Sequence, residues 1–245
     1  MQNYKMLLQY EGTRYNGWQR QGNTANTIQG IIEELLSSLT GERTELNGSG
    51  RTDAGVHAMG QCASFRLERE IDPDEIRDCL NKSLNRDIRI LSVEKAEPRF
   101  HARLNAKAKT YIYRICTGEK ADVFKRHIVY TCPCTLNLEE MKRAAEYLTG
   151  EHDFKAFCSN KRIKKSTVRT IYSIDISYNE DILELTFKGN GFLYNMVRIL
   201  SGTLLEVGLG NIKAEDIPHI IRSMDRKNAG PTLPSSGLML DKVYY

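Results

Sequence analysis

The sequence predicts an α+β fold in which a mixed, mainly antiparallel sheet is flanked by helices. Three observations carry that expectation. Segments alternating apolar and polar residues outnumber segments of helical periodicity. Several of the alternating segments follow one another across short turns. The chain, 245 residues with 40% hydrophobic and 27% charged side chains, has the length and composition to bury a full core.

Alternation places strands at 4–10, 61–67, 88–94, 110–116, 171–178, 182–188 and 237–244. The first helix is expected over 27–39. There Ile28, Ile31, Ile32, Leu35, Leu36 and Leu39 recur at helical spacing, and Gly41 supplies the stop. A second opens at Asp72-Pro73, an N-cap residue followed by proline in the first turn, with Ile76, Leu80 and Leu84 inward. A third starts at Asn137 and presents Leu138, Met141, Ala145 and Leu148 before Gly150. A fourth spans about 192–207 and a fifth about 214–224.

One internal echo bears on domain organisation. Leu-Thr-Gly-Glu occurs at 39–42 and again at 148–151, each time ending an amphipathic helix that a strand precedes. The echo fits two related α/β halves, 1–98 and 99–245, with a central basic cleft between them. At roughly 150 residues per domain the length fits one large domain or two small ones.

Composition excludes several classes. No run of about 18 uncharged apolar residues exists, since the longest apolar stretch, 192–209, is interrupted by Asn195, Arg198 and Glu206. The first residues lack the pattern of a signal peptide, and the mean hydropathy of −0.46 suits a soluble protein, expected in the cytoplasm. The six cysteines, Cys62, Cys79, Cys116, Cys132, Cys134 and Cys158, are scattered, as free thiols in a reducing compartment would be. Cys132-Pro-Cys134 has no second pair at zinc spacing and reads as small buried side chains. Net charge is only +4, but its distribution is uneven. Residues 99–118 hold Arg99, His101, Arg103, Lys107, Lys109 and Arg114 without an acid. Residues 154–174 hold Lys155, Lys161, Arg162, Lys164, Lys165 and Arg169, again without one. Such segments attract phosphates, although a single basic run is ordinarily a solvated face.

The densest unusual stretch is Asn47-Gly48-Ser49-Gly50-Arg51-Thr52-Asp53-Ala54-Gly55-Val56-His57-Ala58. Three glycines in eight residues mark a tight loop whose backbone can approach a ligand. Asp53 is the only acid between Glu45 and Glu68. A carboxylate there is either a turn-former bonded to its own backbone or an ionised nucleophile or base held by a nearby cation. The loop lacks the lysine and spacing of a P-loop, opens no dinucleotide-binding helix and has no second loop of an aspartic-protease pair. No two of the five histidines have metal spacing on one helix, and a lone His57 is ordinarily structural.

This loop closely resembles the catalytic loop of the pseudouridine synthases of the tRNA pseudouridine synthase A type. Three further ordered stretches share the resemblance: 10–21 (YEGTRYNGWQRQ), 107–113 (KAKTYIY) and 189–198 (GNGFLYNMVR), with Gly237-Leu238-Met239-Leu240 resembling that family's last strand. The resemblance implies the pseudouridine synthase fold and an isomerase converting uridine to pseudouridine at positions 38, 39 and 40 of the tRNA anticodon stem-loop. It implies no cofactor and no metal. It implies a homodimer in which one tRNA touches both subunits. The catalytic aspartate falls on Asp53, the tyrosine lying against the target uracil on Tyr111 and the aspartate's basic partner on Arg198. The arginine linked to base flipping falls on Arg51, and an apolar residue packing against the flipped base on Leu238.

The residue types suit that chemistry without the family. Isomerisation breaks a C–N glycosidic bond and remakes it as C–C, so no redox cofactor is needed. A carboxylate can attack ribose C1′ or uracil C6, or abstract a ribose proton. An arginine can fill the gap left by an extruded base, and an aromatic face can hold that base by stacking. Arg14, Lys107, Lys109, Lys161, Arg162, Lys164 and Lys165 are candidate phosphate contacts. Set against these, an aromatic such as Tyr111 in an alternating strand is ordinarily core. Arg14, Tyr15 and Trp18 form either an RNA-facing patch or simple packing. The rival functions are a non-catalytic tRNA-binding or folding protein and a uridine methyltransferase with a cysteine nucleophile. The second needs a donor-binding glycine motif that the sequence lacks.

Overall fold

The computed structural model describes residues 1–160 and 162–245. In chain order the elements are β1 (Gln2–Tyr10), α1 (Ile28–Thr40), β2 (Asn47–Gly48), β3 (His57–Leu67), α2 (Pro73–Ser83) and β4 (Ile88–Ala96). They continue with β5 (Ala108–Cys116), β6 (Tyr130–Thr131), α3 (Leu138–Leu148), β7 (Gly150–Asp153), β8 (Val168–Asn179) and β9 (Ile182–Gly189). The last are α4 (Met196–Gly208), α5 (Ile217–Ser223) and β10 (Leu238–Tyr244). The strand pairings are mostly antiparallel and the helices flank them, as the alternation and the helical spacing led one to expect. Two compact units result: Met1–Lys107 with Leu240–Tyr245, and Ala108–Met239.

In the first unit β1 lies between β3 and β4, antiparallel to both. Its inward phase, Tyr4, Met6, Leu8 and Tyr10, is buried, and a register shift falls between Leu8 and Tyr10 where β1 meets β3. Helix α1 starts where its cap chemistry dictates, with Thr27 Oγ1 accepting the Gly30 N–H at 3.2 Å. It ends at Gly41, whose left-handed φ of 75° few other residues adopt readily.

The inward face of α1 departs from its apolar spacing. Ile28, Ile32 and Leu36 are buried as expected, but Ile31, Leu35 and Leu39 are only half-buried, and Gln29 and Glu33 take inward positions. The reason is a polar network. Glu33 Oε1 accepts the Leu46 N–H at 3.0 Å and a Gln29 Nε2–H at 2.8 Å, while Arg20 Nη1 donates to Oε2 at 3.2 Å. Gln29 also donates to the Leu46 carbonyl and accepts from the Arg20 N–H and from Gln19. Polar groups supplied with partners can occupy positions that periodicity assigns to hydrocarbon.

In the second unit β9 lies between β5 and β8, antiparallel to both, and β7 extends the far side of β8. Two-residue β6 runs parallel beside the end of β5. Leu183, Leu185 and Phe187 of β9 and Tyr113 and Ile115 of β5 are buried. Helix α4 is buried nearly all round. A Cβ on Gly202 would sit 2.0 Å from the Pro231 carbonyl oxygen, so only glycine lets that segment lie against the helix. The helix begins at Met196, four residues later than its apolar run suggests, because Asn195 adopts a left-handed φ of 61° that a right-handed helix cannot pass through. All six cysteines are free thiols; Cys62, Cys116 and Cys158 are buried, whereas Cys132 and Cys134 are only half-buried.

Candidate catalytic loop and base-binding residues

The Asp53 loop is held from behind by the stretch that follows β1. Trp18 donates its backbone N–H to the Thr52 carbonyl at 3.0 Å, and the Gly55 N–H reaches the Tyr15 carbonyl at 3.3 Å. The Val56 N–H closes a turn onto the Asp53 carbonyl at 3.1 Å. Backbone lies on backbone here. A Cβ on Gly12 would come within 2.0 Å of the Val56 carbonyl oxygen, and Gly17, at φ +90°, sits directly against Thr52 and Asp53. Gly48 leaves room for the indole of Trp18, which would touch a Cβ there at 2.5 Å. Trp18 and Tyr15 are therefore packing residues, 2% and 4% exposed. Their part in the N-terminal motif is to brace the loop.

Side chains complete the brace. The Tyr10 hydroxyl and Thr52 Oγ1 are 2.8 Å apart. Gln61, fully buried on β3, donates Nε2–H to the Gly50 carbonyl at 2.9 Å and accepts the Ser49 hydroxyl at 2.7 Å. Buried His57 accepts the Gly12 N–H on Nδ1 at 3.0 Å, which places a neutral ring's proton on Nε2. Against this background Arg51 is exposed, Thr52 buried and Asp53 half-buried. A side chain half open to solvent on an immobilised backbone can meet a substrate without rearrangement of the loop.

In the second unit Tyr111 lies on β5 opposite Phe187. It is 8% exposed, and the ring of Phe192 meets it edge-to-face with centroids 5.2 Å apart and planes at 82°. Arg198, in the first turn of α4, donates Nε–H to the Leu233 carbonyl at 2.6 Å and Nη1–H to Asn195 Oδ1 at 3.0 Å. Asn195 in turn donates Nδ2–H to Ser159 at 3.1 Å. The left-handed Asn195 that delays α4 thus aims its amide at Arg198. Leu238, the first residue of β10, is buried.

Of the candidate phosphate contacts, Arg14, Lys107, Arg162, Lys164 and Lys165 are exposed and Lys109 is half-buried; Lys161 lies outside the described residues. Arg14 gives two N–H groups to Asp87, whose other oxygen accepts the Tyr15 hydroxyl at 2.5 Å. That carboxylate offsets much of the charge Arg14 would present to a phosphate. Among the described residues no three His, Cys, Asp or Glu side chains cluster to hold a metal ion. No helix among them is long and apolar enough to cross a membrane.

A family model for tRNA pseudouridine synthase matches residues 6–105 and again 144–245. The chain belongs to that family. Proteins named tRNA pseudouridine synthase A 2 in Bacillus anthracis and tRNA pseudouridine synthase A in Acetivibrio thermocellus are 44% and 45% identical to it over 245 residues, covering all of both chains. A protein of the latter name in Caldicellulosiruptor bescii is 44% identical over the same span. The match in two segments fits a fold of two related halves. The structural reading of His57 agrees with its place in the brace, whereas the parts of Tyr10 and Gln61 were not foreseen. Gln61 had carried a faint signal, a lone amide in the phase of Ala63, Phe65 and Leu67.

Proposed function

We propose that this chain converts uridine to pseudouridine at positions 38, 39 and 40 of the tRNA anticodon stem-loop, with Asp53 as the reacting carboxylate. As a member of its family the chain is an isomerase acting on tRNA. The observation that carries the finer reading is Asp53 itself, the one acid of its loop, half-buried on a backbone pinned from behind at Thr52 and Gly55. In the reaction the C1′–N1 bond breaks and a C1′–C5 bond forms. The C5 hydrogen leaves as a proton and N1 gains one, so atoms and electrons balance without a donor. Tyr111 and Leu238 supply the aromatic and apolar contacts for the extruded uracil. Arg198 keeps the carboxylate ionised and Arg51 fills the space the base vacates. The reading includes no cofactor, a homodimer engaging one tRNA with both subunits, and action in the cytoplasm. Lys107, Lys109, Lys161, Arg162, Lys164 and Lys165 contribute phosphate contacts, so binding weakens steeply with salt.

Tritium release from tRNA carrying 5-³H-uridine, with purified protein alone, tests the reading. Release that vanishes in Asp53→Ala and in Asp53→Asn, while tRNA is still bound, supports it. Release retained in Asp53→Asn, or binding without release in the parent chain, overturns it, the second outcome leaving a tRNA-binding protein.

A further inference from the structure

We infer that Tyr10 and Gln61 are positioning residues for the reaction, fixing Asp53 through Thr52 and Gly50. The inference rests on the reading that Asp53 is the reacting carboxylate. The three residues from Gly50 to Thr52 are tied down at both ends by buried polar groups, although Arg51 between them is exposed. At one end Gln61 spends its amide on the loop. Nε2–H donates to the Gly50 carbonyl, and Oε1 accepts the Ser49 hydroxyl and the Cys62 N–H at 3.1 Å. At the other end Thr52 is held twice, by its carbonyl to the Trp18 N–H and by its hydroxyl to Tyr10. Asp53 follows directly, and its own carbonyl is engaged by the Val56 N–H.

Both positioning side chains come from the sheet rather than from loops. Tyr10 closes β1 opposite Ala58, and Gln61 pairs with Leu8 on the neighbouring strand. Burial holds the Tyr10 hydroxyl in its neutral form far above neutral pH. A shift of the Asp53 backbone by about 1 Å is enough to cost about 100-fold in rate. The clamp therefore acts on the chemical step more than on tRNA affinity.

The test is the split between kcat and KM in tritium release, for Tyr10→Phe, Gln61→Glu, Thr52→Val and Thr52→Ser. Thr52→Val removes the hydroxyl at nearly constant volume, and Gln61→Glu replaces the amide donor facing Gly50 by an oxygen. We expect kcat to fall roughly 10–100-fold in the first three, with KM and tRNA affinity within about threefold of the parent. Thr52→Ser, which keeps the oxygen, is expected to recover most of the rate. The double variant Tyr10→Phe/Thr52→Val is expected to be no slower than the slower single, because both remove one hydrogen bond. Folded variants at the parent kcat, or Thr52→Ser as slow as Thr52→Val, overturn the inference. If Tyr10→Phe fails to fold, the Thr52 pair decides alone. A parent chain that releases no tritium removes the proposed function and this inference with it. An active parent with unaffected variants removes only the inference.

Discussion

The loop at 47–58 and the stretch at 189–198 weigh backbone and side-chain contacts differently. In the first, backbone lies directly on backbone, with carbonyls of Thr52, Asp53 and Tyr15 engaged and glycines at 12 and 17 making the closeness possible. In the second, backbone bonds from Asn190 to Thr170 and from Ser159 to Tyr194 are joined by a network of side chains. Phe192 abuts Tyr111, Asn195 links Ser159 to Arg198, and the Arg198 guanidinium grips a carbonyl and an amide. The contrast has a consequence for substitution. Backbone contact is intolerant of a single added carbon, whereas a side-chain network fails one hydrogen bond at a time.

Gly12→Ala is the hardest break of the first plan. Its methyl carbon would lie 2.0 Å from the Val56 oxygen, and neither neighbour is a flexible side chain. We expect a loss of about 3 kcal/mol or more in a urea melt, together with loss of activity. Gly22→Ala is the matched control, since nothing lies within 4 Å and the melt is expected to shift by less than about 0.5 kcal/mol. A tolerated Gly12→Ala would mean that the backbone contact yields, and the contrast between the two regions would collapse.

Arg198→Lys probes the second plan. Lysine keeps the charge but cannot grip the Leu233 carbonyl and Asn195 Oδ1 at once with a planar fork. A fall of roughly 30-fold in kcat/KM, about 2 kcal/mol of transition-state stabilisation, is expected in tritium release. Activity equal to the parent's would show that charge alone suffices at this position.

A pH titration probes the brace behind the first region. Burial pushes the Tyr10 hydroxyl up to about 12, against the opposite pull of Thr52 and Gln61, and burial followed by the bond to Asp87 raises Tyr15 to about 12. Both phenols are held neutral by the fold, so their stabilisation is whole below the unfolded value near 10. It declines above that and is gone as pH passes about 12. Stability measured by urea melts from pH 9 to 12 is expected to fall, with Tyr10 accounting for about 2–3 kcal/mol at most. Tyr10→Phe should flatten the curve; an unchanged slope would place the Tyr10 titration elsewhere.

How much of this was legible in sequence follows from which interactions leave a periodic trace. Seven strands and five helices were visible because burial of one face repeats every two or 3.6 residues, and Asp72 announces its helix through cap chemistry. Strands β2, β6 and β7, two to four residues long, are too short to alternate. The turned face of α1 was invisible because Glu33 owes its burial to Leu46 and Arg20, thirteen residues away in each direction. Asp53 stood out as the only acid of a glycine-rich loop. Its clamp did not, because Tyr10 and Gln61 are separated from Thr52 and Gly50 by 42 and 11 residues, and no local pattern links them.

The smallest expected effect compares the two residues that precede α1 and α4. Thr27 caps its own helix, accepting the Gly30 N–H. Asn195 leaves its helix uncapped and spends its amide on Arg198 and Ser159 instead. Thr27→Ala should therefore cost about 1 kcal/mol, a drop of roughly 2–4 °C in Tm, with kcat unchanged. Asn195→Ala removes no cap of its own helix but takes away the acceptor that Asn195 Oδ1 gives to Arg198 Nη1–H, so its effect should appear in kcat. The pair is measured by thermal melts alongside tritium release. If Thr27→Ala slowed turnover as much as Asn195→Ala did, α1 would be coupled to the chemistry and the division between bracing and functional helix ends would fail.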